Sequence, residues 1–253
     1  MRRASLVLVG LVAALGIGLA VAGAPRAGAA DEVEPGSVER GAELYRAGCV
    51  TCHGPDGEGR EGWPSIVNAG EAAADFQLRT GRMPFTGERG EQAVPKPPAY
   101  DEQEIRDLVA FVASLGDGPA NPDVEIDEAL LQRGQRLFAA NCAPCHGATA
   151  NGGAVGGGAI AWPLHDATPL TVGQAMLTGP GQMPVFDLPK EDIDAVATYV
   201  DYLQRAENPG GFAIGGIGPV PEGLVAWLVG MTLMIAIVYL VGREWTKKGE
   251  PES

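Results

Sequence analysis

Cysteine, histidine and methionine are scarce in this 253-residue chain, at four, three and six residues. Scarcity makes their placement informative. All four cysteines and two of the histidines fall in two copies of one pattern, CVTCH at 49–53 and CAPCH at 142–146. A zinc site of four thiolates would use both C-x-x-C pairs, yet it gives no reason for a histidine directly after each. A thiol redox motif needs no such histidine, and structural disulfides do not explain a repeat. Basic side chains are also scarce between the two ends: residues 31–221 hold 28 acidic and 12 basic residues, a formal charge of −16. Nucleic acid and anionic lipid are therefore poor partners for this stretch, and a basic protein surface is a better one.

At the ends, long runs lack charge altogether. Arg2 and Arg3 precede an uncharged run from Leu6 to Ala24, and Ala27-Gly28-Ala29 is a small-x-small site. Residues 1–30 read as a signal peptide or a retained N-terminal membrane anchor. From Leu224 to Val241, eighteen residues pass without a charge, and Arg243, Lys247 and Lys248 follow. That is near the length of a membrane-spanning helix, and the basic flank places the tail, 243–253, in the cytoplasm. A transmembrane helix over 224–242 is expected, preceded by a Gly/Pro-rich tether over 207–223. Both ends then put residues 31–221 on the extracytoplasmic side of a cell membrane.

Aligning the two cysteine motifs aligns their surroundings. Gly41, Leu44 and Tyr45 recur at the same offsets as Gly134, Leu137 and Phe138. Each motif is followed by a Gly-rich loop, then Trp63-Pro64 or Trp162-Pro163, then TGRMP (80–84) or TGPGQMP (178–184). Each unit closes with a helical period, EIRDLVAFVASL at 104–115 and DIDAVATYVDYL at 192–203, with Ile105, Leu108, Phe111, Val112 and Leu115 on one face of the first. This is an internal duplication of a small helical unit. The expected fold is all-α, with domains over 31–118 and 119–206 meeting at the linker GDGPANP (116–122).

C-x-x-C-H is the attachment pattern of c-type haem: two thiols form thioethers to the vinyl groups, and the adjacent imidazole ligates iron. Cys49, Cys52 and His53 are candidates to hold one covalently bound haem c, and Cys142, Cys145 and His146 a second. A thioether sulfur at the other axial position raises the potential and closes the iron to ligands. Met1 is the start and Met231 and Met234 lie in the membrane run, which leaves Met83, Met176 and Met183. Met83 and Met183 share the context Gly-x-Met-Pro and are the candidate axial ligands; Met176 reads as a core residue. His165 is an alternative ligand of the second iron. Pro64 and Pro163 are candidates for the carbonyls that orient the two imidazoles, and Arg82 is a candidate partner for a haem propionate.

At these residues the chain resembles the dihaem cytochrome c subunit of the actinobacterial cytochrome bc1-type (bcc) complex. The resemblance rests on LYRAGCVTCHG, TGRMP, LFAANCAPCHG, AMLTGPGQMP, PGGFAIGGIGPVPEG and the C-terminal membrane run. It implies two tandem class I cytochrome c domains, with haem iron ligated by His53 and Met83 and by His146 and Met183. It also implies an electron carrier that turns over no substrate alone. Its expected partners are a cytochrome b subunit, a Rieske iron-sulfur subunit and an aa3-type oxidase, within a menaquinol-oxidising respiratory chain. A dihaem subunit of another membrane complex, such as a cbb3-type oxidase, is the runner-up. A dihaem peroxidase would need an open iron, against which two Gly-x-Met-Pro loops argue.

Overall fold

The computed structural model describes residues 34–206 and 219–248. The expected export signal or anchor at 1–30 and residues 207–218 of the tether lie outside the described residues. The first half contains α1 (Val38–Gly48), a short turn of helix α2 (Val50–His53), α3 (Gly70–Arg79) and α4 (Glu102–Ala113). The second repeats the order with α5 (Leu131–Leu137), α6 (Ala143–His146), α7 (Pro169–Thr178) and α8 (Lys190–Arg205). Local sequence explains the boundaries. Asp101 and Glu104 form a reciprocal capping box at the start of α4, with bonds of 2.8 and 3.0 Å, which satisfies two amide groups the helix cannot pair itself.

In each half the leading helix lies against the closing one: α1 on α4 and α5 on α8. The recurring glycine is what allows this. A Cβ on Gly41 would lie 1.9 Å from the Asp107 carbonyl oxygen, and one on Gly134 would lie 1.9 Å from that of Ala195. Beside each crossing an aromatic pair fills the space, Tyr45 with Phe111 at 4.9 Å and Phe138 with Tyr199 at 5.3 Å between ring centroids. Two separate apolar cores result. One gathers Tyr45, Leu78, Ile105, Leu108 and Val112; the other gathers Phe138, Val172, Met176, Ile193 and Val200. Met176 is thus a core residue, as its sequence position suggests. Phe111 is only partly buried, Val109 is buried in its place, and Leu115 falls beyond the end of α4.

Charge finishes the first crossing. Arg40 on α1 donates from Nε and Nη2 to the two oxygens of Asp107 at 2.7 and 2.9 Å, and the Ser37 amide adds a third bond at 2.7 Å. These donors, Arg40 foremost, hold the Asp107 carboxyl down at about 2, because each favours the ionised form.

The all-α expectation is corrected by an antiparallel hairpin of β1 (Gly153–Gly156) and β2 (Ala159–Ala161). Its two-residue connection, Gly157-Gly158, has positive φ at both positions, +57° and +80°, as a type I′ hairpin turn requires. The Gly-rich stretch after the second cysteine motif therefore pairs with itself where a loop was expected.

The C-terminal helix α9 spans Pro219–Lys248. It contains the expected membrane run and begins within the stretch read as tether. Its segment Gly223–Arg243 is long and apolar enough to cross a membrane, and none of the described residues covers it. A helix apolar on every face needs lipid or other helices around it.

Candidate haem-binding sites

Each C-x-x-C-H motif sits on the single turn that follows the leading helix. In the first half, α1 ends at Gly48 and Cys49 opens α2. In the second, the chain runs from α5 through a π turn, Phe138–Cys142, into α6. Both turns end on a glycine with positive φ, Gly54 at +78° and Gly147 at +75°, so the chain leaves sharply behind each histidine. The carbonyls of His53 and His146 are then capped by the amides of Gly59 and Gly152, at 2.7 and 2.8 Å.

The two imidazoles are held alike. His53 Nδ1 lies 3.0 Å from the Pro64 carbonyl oxygen, and His146 Nδ1 lies 3.0 Å from that of Trp162. A carbonyl can only accept, so each Nδ1 carries a proton, and in the neutral ring that binds a metal Nε2 is left with the lone pair. The expectation holds at Pro64 and is corrected at the second site, where Trp162 replaces Pro163. The hairpin accounts for the shift: Ala161 pairs with Gly153, which brings the next residue, Trp162, to the imidazole. Burial pushes the His146 pKa down against the opposing pull of that hydrogen bond, and a neutral ring is what a metal ligand must be.

The candidate methionines follow α3 and α7. Met83 borders the same core as Cys49 and Val50, and Met183 the same core as Cys142 and Ala143. The Met83 amide bonds to the Gln77 carbonyl at 3.0 Å, and the Lys96 ammonium braces the loop through the Pro84 carbonyl at 3.1 Å. His165 is exposed, and its Nε2 is 2.6 Å from Asn151 Oδ1, so its remote nitrogen is already engaged.

Several observations fit a covalently bound haem. All four cysteines are free of disulfides. Among the described residues no three His, Cys, Asp or Glu side chains converge as metal ligands, so the two C-x-x-C pairs do not join into a zinc site. The Trp162 indole nitrogen is buried without a hydrogen-bond partner, a donor in want of an acceptor. Arg82 lies 4.7 Å over the Phe76 ring, and burial lowers its pKa. Among the described residues no carboxylate pairs with it, so it is a cation for which an anionic haem edge would compensate. Sequence reasoning missed Trp162 as a donor; its only signal was the recurrence of Trp-Pro after each motif.

Comparison with known proteins agrees with this chemistry. The cytochrome c family pattern matches residues 38–116, and that of "Cytochrome C oxidase, cbb3-type, subunit III" matches residues 129–200. Cytochrome c domains carry covalently bound c-type haem and transfer electrons. The cytochrome bc1 complex cytochrome c subunit of Mycobacterium bovis is 38% identical over 250 residues, covering 94% of this chain and 89% of that protein. Its counterpart in Corynebacterium efficiens is 36% identical over 227 residues, covering 81% and 76%. A more distant likeness, 30% over 162 residues and about half of each chain (55% and 54%), is to the cbb3-type cytochrome c oxidase subunit FixP of Sinorhizobium medicae. With similarity to the first two over most of each chain, and with an apolar C-terminal helix and cytochrome c motifs in place, the chain belongs to the family of cytochrome c subunits of the cytochrome bc1 complex.

Proposed function

We propose that this chain is a membrane-anchored dihaem electron carrier built from two tandem class I cytochrome c domains, 31–118 and 119–206. The observation that carries the reading is the repeated turn: two C-x-x-C-H motifs, each with its histidine Nδ1 fixed at 3.0 Å by a backbone carbonyl. When bound, each haem supplies an iron that gains and loses one electron. The chain's residues do the rest. Cys49, Cys52, Cys142 and Cys145 would anchor the two groups, and His53, His146, Met83 and Met183 would ligate the irons.

In this reading the chain serves a menaquinol-oxidising bc1-type complex beside a cytochrome b subunit. Electrons arrive from a Rieske iron-sulfur protein and leave to an aa3-type terminal oxidase. The chain is part of an oxidoreductase but turns over no organic substrate alone. The helix around 224–242 holds it in the cell membrane, the haem domains lie on the extracytoplasmic side, and the basic residues after the helix lie in the cytoplasm. The acidic balance of residues 31–221 suits a basic docking partner.

The direct experiment adds a menaquinol analogue to the anaerobic, mildly solubilised complex and follows c-haem absorbance, with and without a quinol-site inhibitor. Rapid, inhibitor-sensitive reduction of two haems per chain is the expected result; slow or inhibitor-indifferent reduction removes the chain from that pathway. The match of residues 129–200 to a cbb3-type oxidase subunit favours a second reading, a dihaem subunit of such an oxidase, which copurification of a cbb3-type catalytic subunit would support. The axial assignment has its own test. Met83→Ala should abolish the ferric methionine–iron charge-transfer band of one haem and lower its potential; an unchanged spectrum would exclude Met83.

A further inference from the structure

The two halves of the chain meet along α3 and α7, which are counterparts in the duplication. A seam between packed helices is ordinarily apolar at its centre, but this one is not. Asp75 on α3 and Gln174 on α7 are 3% and 1% exposed. Gln174 Nε2 donates to Asp75 Oδ2 at 2.6 Å and to Asn121 Oδ1 at 2.8 Å. The other Asp75 oxygen accepts from Arg79 Nε at 2.7 Å, and Arg79 in turn grips both oxygens of Glu102 on α4 at 2.5 and 2.9 Å. The seam is thus one hydrogen-bonded chain that crosses from the second half into two helices of the first.

A buried carboxylate is tolerated only where its oxygens are paired. One of the two donors to Asp75 comes from the opposite half. Sliding α7 along α3 by a helical turn would keep apolar area covered, but it would strand both the carboxylate and the amide. The network therefore admits one register where an apolar seam would admit several.

A second tie lies elsewhere. Gln92, in the loop that follows Met83, donates from Nε2 to the Ile160 carbonyl at 2.8 Å and accepts from the Ile160 amide at 2.9 Å. Its side chain pairs with β2 as a neighbouring strand would. Ile160 stands two residues before Trp162, whose carbonyl holds His146. The loop carrying one candidate iron ligand is thereby joined to the strand that orients another.

We propose that Gln174 and Gln92 are positioning residues that lock the two haem-binding halves in one mutual arrangement, so that electrons pass between the haems without the halves rearranging. The electron-transfer part rests on the dihaem reading above; the lock itself is a property of the polypeptide.

The test uses the full-length protein in its membrane complex, with two readouts. Amide hydrogen exchange is measured over residues 118–121 and 153–161, and inter-haem equilibration is followed after pulsed photoreduction. Gln174→Glu sets a second carboxylate against Asp75, and the reciprocal pair Asp75→Asn with Gln174→Glu restores a donor opposite an acceptor. Gln92→Ala alters a surface contact and leaves both cores intact. Exchange should rise about tenfold or more at the linker in Gln174→Glu, the factor a charged hydrogen bond contributes to an equilibrium, and fall back in the reciprocal pair. It should rise at the hairpin in Gln92→Ala. Inter-haem equilibration should slow or split into phases in both single variants, while haem content and each haem's spectrum hold. Wild-type exchange together with single-phase equilibration in Gln92→Ala and Gln174→Glu would overturn the proposal, and if Gln174→Glu does not fold, Gln92→Ala decides alone. Fewer than two haems in the unaltered chain would instead count against the dihaem reading, with the exchange data still judging the lock.

Discussion

A Cys52→Ser variant should carry one covalent haem per chain in place of two, or fail to accumulate in the membrane at all. Each haem needs two sulfurs and one imidazole from a single helical turn, and α2 is only four residues long, Val50–His53. Without the group that its thiols and histidine would hold, that turn has little to order it, because an isolated turn of helix is unstable by itself. The first core borders it directly through Cys49 and Val50, so loss of the haem should spread inward. The second motif stands on its own core and should keep its haem. Haem stoichiometry per polypeptide, from denatured haem absorbance against protein mass, measures this; two covalent haems in the variant would refute the assignment of Cys52.

Gly41→Ala should destabilise the first half strongly, although by helix propensity alone it would stabilise α1 by about 1 kcal/mol. The two effects oppose each other, and geometry decides between them. The new methyl would lie 1.9 Å from the Asp107 carbonyl oxygen, a backbone atom that no rotamer change can move. Relief requires α1 and α4 to separate, which loosens the contact of Tyr45 with Phe111 and strains the bonds from Arg40 to Asp107. Overpacking of this kind costs about 1–3 kcal/mol and sometimes more, so we expect a net loss of about 2 kcal/mol. For a half of this size that corresponds to a fall in melting temperature on the order of 10 °C. Thermal unfolding of the haem-loaded protein, followed by circular dichroism, provides the measurement, and an unchanged melting temperature would mean that the crossing is looser than described. Gly134→Ala should do the same in the second half, where the obstacle is the Ala195 carbonyl.

Much of this architecture is legible in the sequence because the duplication says everything twice. Gly41 and Gly134 stand out only by recurrence, and recurrence marks them before the helix crossing explains them. The closing helices follow from their 3.6-residue period, and the membrane helix from an absence of charge. The histidine contacts were half legible: Pro64 supplies its carbonyl, but Trp162 does so at the second site, since pairing of β1 with β2 depends on glycine dihedrals that composition alone does not reveal. The contacts of Asp75, Gln174 and Gln92 were not legible. Their partners lie 99 and 68 residues away, and the two halves, though alike, do not repeat these residues. An aspartate inside the run AAADFQL is the one local sign that α3 faces something polar.

On the proposed reading, the apolar helix over Gly223–Arg243 changes the arithmetic of every encounter the two cytochrome c units make. A carrier free in solution must find its partners by diffusion in three dimensions, at whatever concentration it is synthesised. A carrier fixed to the same bilayer as its donor and acceptor meets them as neighbours, at effective concentrations that for short connections reach the order of millimolar. At such concentrations a contact too weak to isolate between separate proteins is occupied most of the time. Weak contacts also release quickly. On the proposed reading, anchoring thus lets the docking surface be selected for turnover instead of grip.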